Sequence, residues 1–163
     1  MKSIYILRHA KSDWNANYGE DHDRPLAPRG EAAAARVGRL LRDTNNVPDL
    51  IFSSTAVRAR TTVHLASEAG DWGRPIELRP ELYGAGVETI LEIAHGLPDS
   101  IESALFAGHQ PGWSYAVSAL SGGGMVSMPT ACLARIDFEV RGWQSCRVGG
   151  GVLSLLIPPK GLD

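Results

Sequence analysis

Ile4-Tyr5-Ile6-Leu7-Arg8-His9-Ala10, near the start of the chain, is a short apolar run that breaks off into a guanidinium and an imidazole. Ile4 to Leu7 has the length of a buried strand and is too short for a helix. Residues 11–30, with Asn, Asp, Gly and two prolines and little periodicity, read as a long loop after it. Loops of that length inside a folded domain are usually functional or disordered.

The same change from apolar run to polar residues recurs along the chain. Leu50-Ile51-Phe52 precedes Ser53-Ser54-Thr55, Ile76-Glu77-Leu78 precedes Arg79, and Ser103-Ala104-Leu105-Phe106-Ala107 precedes Gly108-His109. Helical spacing fills the intervals. Glu31 to Arg42 is amphipathic, with Val37, Leu40 and Leu41 set against Arg36, Arg39 and Arg42. Ser53-Ser54-Thr55 offers hydroxyl N-caps to a helix with face Ala59, Val63 and Ala66, and Gly70 is placed to stop it. Val87, Ile90, Leu91 and Ala94 repeat at i, i+3, i+4, i+7, as do Trp113, Ala116, Val117 and Leu120. Leu133 to Val140 and Val152 to Ile157 read as strands with no helix between them, an antiparallel pair. Strand and helix otherwise alternate. The expectation is one α/β domain over residues 1–163, a three-layer α/β/α sandwich whose mostly parallel sheet has an antiparallel edge.

Composition narrows the classes. With 44% hydrophobic and 21% charged residues the chain can build a core, and Lys+Arg 16 against Asp+Glu 18 argues against a nucleic-acid surface. Cys132 and Cys146 show no paired spacing, so neither a disulfide framework nor a metal site is expected. The N-terminal apolar run stops at Arg8, short of a signal segment of about 7–15 residues, and no run approaches the ~18 of a membrane span. A cytoplasmic protein without membrane or nucleic-acid partners is expected.

Ligands of such sheets bind beyond the carboxyl ends of the strands. Arg8-His9 follows the first strand, Arg58 lies just inside the helix after the second, and His109 follows the fourth, so all should face one crevice. Two guanidiniums match the oxygens and charge of a phosphoryl group. An imidazole among positive charges stays deprotonated and can act as a nucleophile, the part that fits His9, while His109 can donate to developing negative charge. Any of the five histidines taken alone more often has a structural or surface part; convergence is what singles out these two. Lys11, Ser12, Asp13 and Arg24 in the long loop are either further phosphate contacts or solvated loop residues. Asp21-His22-Asp23 is best read as surface loop. Trp113 reads as core, and Trp14 as a wall of the crevice.

These motifs resemble the histidine phosphatase superfamily, and within it the small SixA-like phosphohistidine phosphatases. Arg8-His9-Ala10 stands where the superfamily has Arg-His-Gly, with Ala in third place, a variant associated with this branch. Asp23-Arg24-Pro25-Leu26, Arg29-Gly30, Ser53 to Thr62 with Arg58, and Gly108-His109-Gln110-Pro111-Gly112 are similar to the branch's later motifs, in order. The resemblance implies a phosphoglycerate mutase-like fold and a two-step transfer without metal or other cofactor. In it His9 attacks phosphorus, Arg8, Arg58 and His109 hold the oxygens, and water releases the phosphate.

Larger relatives protonate the leaving group with a glutamate. Glu81 and Glu88 are the candidates here, though each also reads as a solvated carboxylate, Glu88 favouring a helix N-terminus. Without an acid, an alkoxide leaves poorly while imidazole leaves readily, which favours phosphohistidine on a signalling protein as substrate. No insertion between the motifs is long enough for a lid, so an open crevice is expected. Two alternatives stay open: a phosphatase or mutase for a small phosphate ester, and a non-catalytic phosphate-binding module.

Overall fold

Strand β1 (Lys2–Arg8) is covered on both faces, which is why its apolar run does not alternate: Ile4 and Ile6 enter one core layer, Tyr5 and Leu7 the other. The computed structural model of the chain describes residues 1–162; Asp163, the last residue of the expected domain range, lies outside the described residues. β1 pairs parallel with β4 (Ser103–Gly108), β4 with β2 (Leu50–Ser53), and β2 with β3 (Ile76–Leu78). On the opposite flank β5 (Leu133–Phe138) runs antiparallel to β1, and β6 (Val152–Ile157) antiparallel to β5. The order β3-β2-β4-β1-β5-β6 is the mostly parallel sheet with an antiparallel edge that the element pattern implied.

Helices α1 (Pro28–Asp43) and α2 (Val57–Gly70) cover one face, burying Val37, Leu41, Val63 and Ala66 against Tyr5, Leu7 and Leu105. α3 (Val87–His95) and α4 (Gly112–Leu120) cover the other, with Ile90, Trp113 and Val117 packed on Ile4, Ile6 and Phe106. Trp113 is fully buried and its Nε1 donates to the Phe106 carbonyl at 3.1 Å, so it belongs to the core as expected. Each buried side chain of this size is worth about 2 kcal/mol of transfer free energy, so the two layers clamp the sheet from both sides.

Local details differ from the sequence reading. α1 begins at Pro28 rather than Glu31, because proline's fixed φ suits the first helical position and its missing N–H needs no partner there. The hydroxyls of Ser53 to Thr55 do not cap α2, whose N-cap is Ala56 with no side-chain cap; Ser54 Oγ instead accepts from the Ala56 N–H at 3.1 Å. Gly70 closes α2 as its last residue, and Asp71, at φ 49, takes the left-handed position after it. β5 stops at Phe138, short of Val140, where a turn bond from Val140 N–H to Phe138 carbonyl intervenes.

Register sets the site. Arg8 lies opposite Gly108, Leu7 opposite Ala107, and Ser53 opposite the same Ala107, so the carboxyl ends of β1, β2 and β4 finish level. The next residues remain tied across the sheet: His9 N–H donates to Gly108 carbonyl and Ser54 N–H to Ala107 carbonyl, each at 3.0 Å. Among the described residues no helix is long and apolar enough to cross a membrane.

Candidate active site

His9 leaves β1 with its ring buried, 6% exposed, and its Nδ1 2.7 Å from the Ala10 carbonyl oxygen. A carbonyl can only accept, so Nδ1 carries the proton and Nε2 keeps its lone pair. The imidazole is pushed down to about 4, first by burial and further by the charges of Arg58, Arg8 and Arg24, against the opposing hydrogen bond to Ala10. The ring is therefore neutral at pH 7. Positive charge was the cause read from the sequence; burial is the larger one.

His109, 8% exposed, stands with its ring centroid 5.2 Å from that of His9 and tilted by 48°. Its Nε2 lies 2.8 Å from Ser54 Oγ, and it is pushed down to about 3 by burial first, then by His9 and Arg58. Arg8 Nη1 donates to the Met128 carbonyl at 2.9 Å. Arg58 Nη1 donates to the Asp21 carbonyl at 2.7 Å and Nη2 to the Asp21 carboxylate at 2.9 Å.

Asp21 is the centre of a second layer. Its carboxylate also accepts from Arg24 and, at 2.6 Å, from Tyr83 Oη, and these bonds hold it well below the usual carboxylate range, the Tyr83 bond contributing most. Tyr83 in turn meets the His109 ring edge-on at 5.3 Å. Arg24 Nε donates to Ser12 Oγ at 2.9 Å, and the Arg24 guanidinium stacks 3.6 Å from the Trp14 ring centroid. The long loop is ordered by its own base, where Ser12 bridges Leu26 and Asp13 N–H donates to Pro25 carbonyl.

One pocket gathers Arg8, His9, Lys11, Ser12, Trp14, Arg24, Arg58, His109, Gln110 and Thr130. Within it three buried nitrogens, Arg8 Nε, Arg58 Nε and His109 Nδ1, have no hydrogen-bond partner. An unsatisfied buried polar group costs roughly 1–3 kcal/mol, and three such nitrogens share this one pocket.

The four residues singled out by position, Arg8, His9, Arg58 and His109, thus meet, and Lys11 and Ser12 join them in the lining. Glu81 and Glu88 do not. Glu81 is exposed, and hydrogen bonds from its own backbone N–H and from Arg79 Nη1, the latter at 2.9 Å, hold its carboxyl below the usual carboxylate value; Glu88 is exposed in the first turn of α3. Neither belongs to the pocket lining. Asp21 lies on an exposed turn, as the surface-loop reading has it, but its half-exposed side chain also reaches back to two pocket arginines, a part the sequence did not show. Sequence reasoning also passed over Tyr83 and Ser54; the advance signal was the surplus of cations at the strand ends, which calls for a nearby counter-charge. Among the described residues no group of three or more His, Cys, Asp or Glu side chains is arranged to hold a metal ion.

A level row of parallel strand ends carrying two neutral imidazoles and two arginines gives a phosphoglycerate mutase-like α/β fold with a cation-lined pocket. The family model of the histidine phosphatase superfamily (branch 1) matches residues 4–102, and the chain belongs to that superfamily. An uncharacterized protein of Mycobacterium leprae is 36% identical over 94% of this chain and 100% of its own length. A crystal structure from Agrobacterium tumefaciens described as a "putative phosphohistidine phosphatase SixA" superposes with a TM-score of 0.82 at 30% identity, covering 97% of this chain and 98% of the other. The protein histidine phosphatase SixA complexed with tungstate gives 0.85 at 22% identity over 99% of both chains, a likeness of fold.

Proposed function

We propose that the chain is a phosphatase for phosphohistidine carried on a signalling protein, working through a phosphohistidine formed on His9. The observation that carries this reading is the tautomer of His9: with Nδ1–H held by Ala10, the unprotonated Nε2 is left among donors suited to a phosphoryl group.

In the first step the Nε2 lone pair forms a bond to phosphorus while the bond from phosphorus to the leaving nitrogen breaks, and the leaving imidazole takes a proton from water. In the second, water attacks the same phosphorus, its proton is released, and Nε2 regains its lone pair. Arg8, Arg58 and His109, with Lys11 and Ser12 at the wall, hold the three non-bridging oxygens in both steps, so catalysis is positioning and electrostatic stabilisation and needs no metal. Asp21 is ionised in its cluster and is no proton donor at neutral pH, which disfavours alkoxide leaving groups. This supports the phosphoramidate over the small-ester reading. The free, buried Cys132 and Cys146 suit a reducing cytoplasm.

The test is to mix the protein and His9→Ala with a radiolabelled phosphohistidine carrier protein. Phosphate release and acid-labile label on the wild-type chain alone are expected. Equal release by the two proteins removes His9 as nucleophile, and binding without release leaves a phosphate-recognition module. Arg58→Ala is expected to lose phosphate affinity and turnover together, by about 10²-fold or more.

A further inference from the structure

Beside the pocket runs a second depression, lined by Arg8, Lys11, Arg29, Thr130 and Lys160 together with Arg36, with Ala33, Pro129 and Pro159 also in its lining. Among the described residues no carboxylate belongs to this lining. Arg8, Lys11 and Thr130 are common to both depressions, so the two adjoin. In a chain of net charge −2 this concentration of cations is local. The contrast with the other side of the pocket is sharp: there Asp21 balances Arg24 and Arg58, whereas Lys11, Arg29 and Lys160 form no ion pair among the described residues.

The arrangement has a backbone cause. Gly30, in the first turn of α1, lies so close to the loop that a Cβ there would fall 2.1 Å from the Lys11 carbonyl oxygen. That contact presses the start of α1, with Arg29, against the loop that leaves the active site, and Ala27 N–H donates to Lys11 carbonyl at 2.8 Å beside it. The cations come from three separate segments, around residues 8–11, 29–36 and 160, with proline and alanine side chains in the same lining. They form a strip suited to an extended chain bearing spaced carboxylates rather than to one compact anion.

We infer that this strip docks an acidic segment flanking the phosphorylated histidine of the substrate protein, and so sets which carrier is dephosphorylated. The inference rests on the phosphohistidine reading above, and its test separates the two.

Two phosphohistidine peptides of equal length, one with Asp and Glu around the histidine and one with Asn and Gln, are compared with free phosphohistidine on the wild type and on Arg29→Glu and Lys160→Glu. Both side chains are exposed, and an acidic residue in the first turn of a helix is favourable, so the folds should hold. The wild type is expected to show a KM lower by about tenfold for the acidic peptide, lost in the variants and in high salt, with free phosphohistidine turned over equally by all three. Equal KM values for the two peptides, or an equal effect of the variants on all substrates, overturn the docking strip. Fluorescence anisotropy of the unphosphorylated acidic peptide reads the strip without turnover. Charge-dependent binding there with no phosphoramidate hydrolysis keeps the strip and discards the phosphatase reading. A sugar bisphosphate whose KM responds to Arg29→Glu while the peptides' do not assigns the strip to a second phosphate and overturns the proposal.

Discussion

Arg58 commits both terminal nitrogens to one residue, Nη1 to the Asp21 carbonyl and Nη2 to the Asp21 carboxylate, and leaves buried Nε without a partner. Asp21 thereby fixes the plane of the guanidinium while lowering the net charge of the pocket. These two effects separate by substitution. Asp21→Asn keeps the carbonyl contact and an amide oxygen but removes the negative charge, so inorganic phosphate should inhibit several-fold more tightly. Asp21→Ala keeps the main-chain carbonyl contact and removes the charge as well, but takes away the side-chain acceptor, so Arg58 is held by one bond instead of two and kcat should fall about 10²-fold. Inhibition constants and kcat for the two variants check this; behaviour like the wild type in both would show that Asp21 positions nothing.

The buried imidazoles set a pH dependence of activity. His9 is pushed down from 6.5 to about 4, so the reactive neutral form persists as pH falls from 7 to 5. The kcat/KM profile, corrected for the substrate's own phosphate ionisation, should stay flat over that range and bend near pH 4. An acid limb at about 6.5 would mean that the ring titrates as an ordinary histidine.

The same shifts act on stability. The unfolded chain takes up protons on these histidines below about 6.5, whereas the folded chain resists until about 4 for His9 and about 3 for His109. Both folded values are depressed, so stability is greatest above 6.5 and is lost as pH falls toward 3. The full effect is on the order of 3 kcal/mol for His9 and 5 kcal/mol for His109. Urea titrations at pH 7, 5.5 and 4 should show the loss, and His109→Asn should reduce it.

Leaving-group chemistry follows from the ionised Asp21 and from the absence of Glu81 and Glu88 from the pocket lining. With no carboxylic acid in the pocket, kcat/KM for a phosphoramidate should exceed that for an alkyl phosphate by about 10² or more. Competition assays with both substrates measure it. A preference for the alkyl ester would require an acid that these carboxylates do not provide.

The pairing of α1 and α2 depends on Gly38, where an added Cβ would sit 1.9 Å from the Ala66 carbonyl oxygen. Trp72 Nε1 donates to the Gly38 carbonyl at 3.1 Å across the same seam. Gly38→Ala should push the helices apart at a cost of about 1–3 kcal/mol, read as a lower Tm, with the catalytic pocket unchanged in composition.

Local chemistry along the chain determined a large part of this protein. The apolar runs at 4–7, 50–52 and 103–107 with helical spacing between them specify a parallel sheet, because a strand buried on both faces has no polar alternation and a strand of the same direction needs a crossover helix. The rule that ligands meet the carboxyl ends of such strands then puts Arg8, His9, Arg58 and His109 together, as the register of Arg8 with Gly108 makes concrete. Tertiary structure decided what depends on contacts remote in sequence. Asp21 lies 37 residues from Arg58 and 62 from Tyr83, and no periodicity links such residues; only the return of the loop over the strand ends makes its carboxylate the counter-charge of the pocket. The tautomer of His9, the absence of Glu81 and Glu88 from the pocket lining, and the gathering of cations beside the site are likewise consequences of packing, since burial and partnering belong to the folded chain and not to its order of residues.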